Sequence, residues 1–270
     1  MGKTSKISII VGLFVFLFGA SVFASIHHVP SEYSTIQGAI NISVDGDTVL
    51  VASGVYEESI NFGGKSIVVL SASGALETTI LSPSSASGVY DLPLDFDSLS
   101  APLKARDYLS QKSLSAGSPV VSFTSGSDAT TELIGFTING NNSVQCISCI
   151  ESDPLISECI IQNGVGSRDG GGLFIQYCAP RIHDNVIRNN YTPITGAGLF
   201  ARLGTGNGTV EVVGNVFYGN QGGNGPAISF IEGEGCLAER NLVYGNSVPD
   251  AGSYIRGVVY VHVDNATVIN

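Results

Sequence analysis

The chain has 270 residues, with 34 glycines, no tryptophan and a formal net charge of −11 at pH 7. An acidic surface repels nucleic acid and anionic lipid, so the charge excludes both as expected partners. Many Gly residues together with frequent Asn, Ser and Thr are typical of a β protein rich in turns.

The N-terminus has the pattern of an export signal. Lys3 and Lys6 precede an apolar run from Ile7 to Phe18, and Val22-Phe23-Ala24 fits a cleavage site. We predict a signal peptide over 1–24 and a mature chain that is secreted or held at the cell surface, with no membrane insertion after cleavage. An uncleaved membrane anchor is the alternative. Loss of both lysines leaves 10 of the 12 basic residues against 23 acidic ones, a net charge of −13.

A short helix is predicted next, within an N-terminal cap over 31–46. Ser34-Thr-Ile-Gln37 has the form of a capping box. Apolar residues follow at helical spacing: Ile36, Ala39, Ile40 and Val44. Such a helix would cover the unpaired edges and apolar core of a first rung of strands. His27 and His28, before it, are expected to be flexible. Strands are expected at 48–51, 59–62, 66–70 and 78–81, with Gly54 in a turn.

Four later segments repeat one pattern. They align at positions 159, 185, 215 and 241, which are 26, 30 and 26 residues apart. A period of this length with short β-branched segments and Gly/Asn turns predicts stacked coils, each burying its apolar side on the next. Asn185, Asn215 and Asn241 are expected to form a ladder at a turn, and Cys159 would be a small buried residue at the same position.

Two parts of the chain depart from the repeat. The Ser/Pro/Asp-rich stretch 82–118 is predicted to be an insertion on a lateral face, either a wall of a substrate groove or a solvated loop. The end, Ala266-Thr-Val-Ile-Asn270, resembles the opening of a further coil. We therefore expect the β-helix domain, 25–270, to continue after 270, into a downstream domain or an end-to-end partner.

These segments resemble a known superfamily. Four early segments look like the N-terminal cap and first coils of secreted right-handed parallel β-helix proteins, the pectin-lyase-like superfamily: Tyr33–Ile40, Gly46–Val51, Gly54–Glu57 and Asn61–Lys65. The later repeats resemble the tandem repeats of bacterial surface β-helix proteins, and together the match covers roughly 31–81 and 119–270. The resemblance implies an all-β fold, a right-handed parallel β-helix (solenoid) with a short N-terminal capping helix. It says little about activity, because this fold carries lyases, hydrolases, epimerases, adhesins and inert stalks.

A candidate ligand surface follows from period-two alternation. Aligning 172–176, 198–202, 227–231 and 253–257 places six side chains in the core: Leu173, Ile175, Leu199, Ala201, Ile228 and Phe230. Four side chains would then face outward and bind glycans: Phe174, Gln176, Phe200 and Arg202. The two aromatic rings would pack against the apolar faces of sugar rings. The alternatives are mutual stacking of the two rings beneath a loop, or reversed facing with both rings in the core.

Candidate catalytic residues are few. Hydrolysis of a glycosidic bond needs two carboxyl groups about 5–9.5 Å apart. Arg168, Asp169, Arg202 and Glu232 are the candidates, with surface ion pairing as their other role. We expect no two neighbouring rungs to place carboxylates in one column, which counts against an enzyme. We predict no cofactor and no metal-ligating residues. Calcium is the one cation that the sequence leaves open.

The five cysteines are predicted to be structural thiols, with one disulfide open in an oxidising compartment. Taken together, the pattern favours an exported cell-surface or extracellular β-helix protein that acts as a binding or structural module. Polysaccharide or cell-surface glycan is the expected ligand. A polysaccharide lyase or glycoside hydrolase is the alternative, and a purely mechanical stalk is the third reading.

Overall fold

The computed structural model describes residues 24–83, 117–206, 208–248 and 257–269. The predicted signal peptide, except Ala24, and 84–116 of the predicted insertion lie outside these residues. Within the described ranges, no helix is long and apolar enough to cross a membrane.

The described chain is built of short strands and one helix. The helix is α1 (Ile36–Ile42). The strands are β1 (Ile26–Val29), β2 (Thr48–Val51), β3 (Gly54–Glu57), β4 (Ile60–Asn61), β5 (Val68–Ser71), β6 (Thr78–Leu81), β7 (Val121–Phe123), β8 (Glu132–Ile134), β9 (Thr137–Asn139), β10 (Ile147–Ile150), β11 (Leu155–Ser157), β12 (Ile160–Gln162), β13 (Leu173–Gln176), β14 (Arg181–His183), β15 (Val186–Arg188), β16 (Leu199–Arg202), β17 (Val210–Val213), β18 (Val216–Tyr218), β19 (Ile228–Glu239), β20 (Leu242–Tyr244) and β21 (Val259–Ile269).

All strand pairs are parallel, and each strand pairs with the equivalent strands of the coils before and after it. The strands form three faces. Face 1 contains β4, β7, β10, β13, β16 and the first part of β19; face 2 contains β1, β2, β5, β8, β11, β14, β17 and the last part of β19; face 3 contains β3, β6, β9, β12, β15, β18 and β20. The long strand β19 joins faces 1 and 2, with a register shift after Ile231, and β21 pairs along it. The predicted all-β, right-handed parallel β-helix is confirmed.

The core lies inside the coil and is made of in-register columns. On face 3, for example, Ile80, Ile138, Ile161, Ile187 and Phe217 stack, each 0% exposed. Such columns form because successive side chains of a strand alternate between the inside and the outside of the coil. Burying one aliphatic side chain of this size contributes about 1.5–3 kcal/mol. No coil buries its own residues alone, so the stability of each depends on its neighbours.

The corner between faces 2 and 3 carries the predicted asparagine ladder. Each ladder residue follows a residue with positive φ, such as Asp184 (φ 55°) or Gly214 (φ 71°). The Asn215 side chain accepts from the Asn185 amide N–H at 2.9 Å and donates to Ile182 O at 2.7 Å. Cys159 N–H donates to Asn185 Oδ1, which places Cys159 on the ladder and confirms its buried position.

A second ladder, which the sequence analysis missed, closes the next corner. Asn190, Asn220 and Asn246 bond to one another in the same way, at 3.0 Å and 2.9 Å between side chains. Each follows a residue with positive φ: Asn189, Gly219 or Gly245. The two ladders satisfy main-chain groups that the sharp corners leave without strand partners.

The N-terminal helix has the predicted place but a different cap. Thr35, not Ser34, is the N-cap residue, and its side chain accepts from Gly38 N. The Glu58 carboxylate, from the next coil, accepts from Ile36 N and Gln37 N, each at 2.9 Å, so Gln37 does not complete a capping box. Ile36, Ala39 and Ile40 are buried as expected, whereas Val44 is exposed.

The N-terminal segment of the described chain is held in place by Asp47. The prediction that His27 and His28 are flexible is wrong, because both lie in β1, which pairs with β2. The Asp47 carboxylate accepts from Ser25 N and Val44 N and is 3.1 Å from His27 Nε2. Gly54, expected in a turn, begins strand β3 instead.

Removing one ladder side chain should destabilise the protein. Asn215→Ala leaves Asn185 N–H and Ile182 O without partners in a buried corner, so we expect the free energy of unfolding to fall by about 2–3 kcal/mol. Urea unfolding followed by circular dichroism measures this. Asn41→Ala, at an exposed position of α1, is the control; equal loss in both variants would contradict a structural role for the ladder.

Asp47 should make stability depend on acid pH. Burial of its carboxylate opposes ionisation, but the N–H groups of Val44 and Ser25 and the His27 ring outweigh burial and lower the pKa of Asp47. Because the pKa of Asp47 is lower in the folded than in the unfolded chain, its carboxylate stabilises the fold. This contribution is complete above the unfolded-state pKa of about 3.9 and is lost as the pH falls through the folded-state pKa. Urea midpoints measured between neutral pH and pH ~3 should decline less steeply in Asp47→Asn, while exposed Glu57→Gln should follow the wild type.

Candidate functional site

Strands β13 and β16 of face 1 stack in the predicted register. Leu173, Phe174, Ile175 and Gln176 lie opposite Leu199, Phe200, Ala201 and Arg202, and these lie opposite Ile228, Ser229, Phe230 and Ile231 of β19. The six residues predicted for the core are buried, each at most 2% exposed. Phe174, Gln176, Phe200 and Arg202 therefore point away from the core, as expected.

The fourth aligned segment was placed wrongly. Val259, rather than Tyr254, lies opposite Ile228, and Tyr260 lies opposite Ser229. Residues 253–256 are outside the described part of the chain. The error arose because the connection from face 3 back to face 1 varies in length, so a constant spacing does not locate the next strand.

Phe200 is not an exposed platform residue. Its ring stacks on that of Phe174, with centroids 5.5 Å apart and planes at 17°, and Phe200 is 1% exposed. Phe174 remains half-buried. The turns before the two strands do not account for this difference, because Gly196 approaches Phe200 as Gly170 approaches Phe174. The prediction of two exposed rings is thus wrong for Phe200, and mutual stacking of the two rings is what the structure shows.

Arg202 and Gln176 lie next to these rings and have free hydrogen-bonding groups. Arg202 Nε is 3.3 Å from Glu232 Oε2 without hydrogen-bond alignment, and the two side chains are 33% and 61% exposed. A pair this exposed contributes at most about 1 kcal/mol. Among the described residues, neither the terminal nitrogens of Arg202 nor the Gln176 amide has a protein hydrogen-bond partner. This patch of Phe174, Gln176 and Arg202 is called the Phe174 surface below.

Asp169 comes within electrostatic reach of the Phe174 surface. It lies in the turn before β13, bridges to Thr195 on the next coil, and its main-chain oxygen accepts from Gln145 Nε2 at 2.9 Å. Burial raises the pKa of Asp169, while Arg168, the Thr195 hydroxyl and Arg202 act in the opposite direction. The structure thus brings Asp169 and Arg202, predicted separately, to one surface. The side chain of Arg168 is exposed.

The expectation about carboxylate columns is partly wrong. The column of Asp169 continues with Thr195 and Asn224, so it holds one carboxylate over these three coils. Glu234, however, lies opposite Asp264 on the neighbouring coil, beyond the register shift of β19 that the sequence did not reveal. Among the described residues, no group of three or more His, Cys, Asp or Glu side chains is arranged to hold a metal ion.

Face 3 carries a second outward row that the sequence analysis missed. Gln162, Arg188, Tyr218 and Tyr244 lie in register. Arg188 donates to Gln162 Oε1 and to Tyr218 Oη, and the two tyrosine rings stack with centroids 5.3 Å apart. Each of the four residues follows an aligned repeat position by three, so the sequence did contain the signal. This row, called the Tyr218 row below, bonds within itself, in contrast to the Phe174 surface.

Comparisons with known proteins add a structural likeness. No protein-family model matches the sequence, and no curated protein matches it. Among solved structures, the chain is similar to a crystal structure of a pectin methylesterase in complex with a hexasaccharide, with a TM-score of 0.40 and 13% sequence identity, over 81% of this chain and 70% of that chain. The strand pairing of this chain, and not this likeness, establishes its fold.

Proposed function

We propose that this protein is an exported, cell-surface or extracellular β-helix module that binds a polysaccharide along the Phe174 surface. One observation carries the proposal: the half-buried Phe174 ring lies beside Gln176 of its own strand and Arg202 of the next coil. Among the described residues, the Gln176 amide and the terminal nitrogens of Arg202 have no hydrogen-bond partner. Binding sites typically combine apolar area with a few polar groups placed to fix orientation. Here the ring offers the apolar area, and the two side chains offer donors and one acceptor.

The spacing of the coils supports a polymeric ligand. Neighbouring strands lie about 4.8 Å apart, so groups on adjacent coils meet successive units of an extended chain. The guanidinium of Arg202 presents its donors in a planar fork, which suits vicinal hydroxyls as well as a carboxylate. The acidic surface of the chain and the N-terminal leader pattern support an extracellular role rather than one on nucleic acid.

Substitutions on the Phe174 surface should weaken polysaccharide binding. We expect Phe174→Ala and Arg202→Gln each to raise the dissociation constant by about tenfold, since each removes an interaction of roughly 1–1.5 kcal/mol. The measurement is affinity electrophoresis or calorimetry with neutral glucans, galactans and uronate polymers, with and without calcium. Tyr244→Ala and Arg240→Gln are the matched controls, because Tyr244 is exposed on face 3 and Arg240 is exposed at the corner between faces 2 and 3. Unchanged affinity in the first two variants would favour the mechanical stalk.

A second candidate function is cleavage of a polysaccharide. The observation that favours it is the raised pKa of Asp169, whose first cause is burial, near the cationic Arg202. A carboxyl group with a raised pKa stays protonated to higher pH and is suited to donate a proton to a leaving oxygen. Glu232, beside Arg202, is the other carboxylate of the surface.

We expect no cleavage if binding is the whole function. Incubation of the chain with the same glycans should release neither reducing ends nor unsaturated products above background. Release that is lost in both Asp169→Asn and Glu232→Gln, but kept in Glu57→Gln, would replace the binding proposal with the enzymatic one.

A further inference from the structure

Two cysteine thiols on neighbouring coils meet inside the β-helix. Cys149 lies in β10, and Cys178 lies just after β13, the strand that pairs with β10. Their Sγ atoms are 3.5 Å apart, and the residues are 0% and 3% exposed. Cys149 also donates to Ser152 O at 2.8 Å, and the thiols of Cys146 and Cys159 donate to Gln162 O and Ser157 O.

We propose that Cys149 and Cys178 form a disulfide that ties two consecutive coils together when the chain folds in an oxidising compartment. A disulfide has an S–S length of about 2.05 Å and spans Cα separations of about 4.4–6.8 Å. Cys149 lies opposite Ile175, and Cys178 follows three residues later, after the positive φ of Tyr177, so the Sγ separation of 3.5 Å is the geometric support for the bond. The sulfurs have to approach by about 1.5 Å, a movement that rotation of two short side chains can supply.

The chemistry requires a disulfide oxidant, such as oxidised glutathione or a protein dithiol oxidase. The thiolate of Cys178 attacks one sulfur of the oxidant and releases its first thiolate, giving a mixed disulfide. The thiolate of Cys149 then attacks Cys178 Sγ and releases the second thiolate. Two thiols are oxidised, the oxidant takes up two electrons, and its two leaving thiolates take up the two protons.

The two sulfurs have different surroundings in the folded chain. The hydrogen bond with Cys149 lowers the pKa of Cys178, whereas burial raises the pKa of Cys149. Because both residues are buried in the folded chain, the oxidant must react while these coils are still docking. The two cysteines are 29 residues apart in sequence, so the cross-link would close a loop of that length. Such a loop stabilises the folded protein because it restricts the conformations of the unfolded chain.

The test is a thiol map of the refolded chain. The protein is refolded in a glutathione redox buffer, denatured and alkylated without reduction, and digested with trypsin together with a protease that cuts after Glu. Cleavage after Glu151, Glu158 and Arg168 places Cys149, Cys159 and Cys178 on separate peptides. Mass spectrometry should then show three alkylated cysteines of the five and a peptide containing Cys149 joined to one containing Cys178. Reduction should lower the thermal unfolding midpoint by about 5–10 °C.

Single variants assign the pair and separate it from other outcomes. Cys178→Ala should abolish the cross-link and the effect of reductant, whereas Cys146→Ala and Cys236→Ala should change neither. Five alkylated cysteines in the folded wild type, or a link between Cys146 and Cys149, would overturn the proposal. The result does not depend on polysaccharide binding, because it is read from the chain without ligand.

Discussion

In-register stacking of coils is the constraint on which the rest of the structure depends. Each coil is too thin to bury its own apolar side chains, so columns such as Ile138–Ile161–Ile187 exist only when the strands pair without slippage. A shift of one residue would turn every such side chain outward. The asparagine ladders oppose such a shift, because a displaced Asn215 would lose both its neighbour Asn185 and the buried carbonyl of Ile182.

The same register decides which polar groups become available for a ligand. Arg188 and Arg202 occupy outward positions on different faces and follow the same alternation. Arg188 finds Gln162 and Tyr218 on the coils beside it and donates to both. Arg202 has Gln176 and Ile231 as its register partners, and its terminal nitrogens have no hydrogen-bond partner among the described residues. Both rows contain an outward arginine. The Tyr218 row bonds within itself and the Phe174 surface can bind a ligand because the residues next to the two arginines differ.

Alternation along a strand sets the direction of a side chain but not its exposure. Phe174 and Phe200 are equivalent positions of neighbouring coils, yet Phe200 is 1% exposed and Phe174 is half-buried. The turn before β13 brings Asp169 next to Thr195, where burial raises the pKa of its carboxyl group. Cys149 and Cys178 meet from two neighbouring coils, although they are 29 residues apart in sequence.

The sequence by itself determined the parallel β-helix, the core columns, the register of β13 with β16 and β19, and the ladder at Asn185, Asn215 and Asn241. These features follow from a period that recurs along the chain and from local alternation, both of which can be read without coordinates. Only the tertiary structure decided the burial of Phe200, the pairing of Val259 with Ile228, the meeting of Glu234 with Asp264, and the approach of Cys149 to Cys178. These features depend on the path and length of the turns between coils, which follow no period, and on contacts between residues that are distant in sequence.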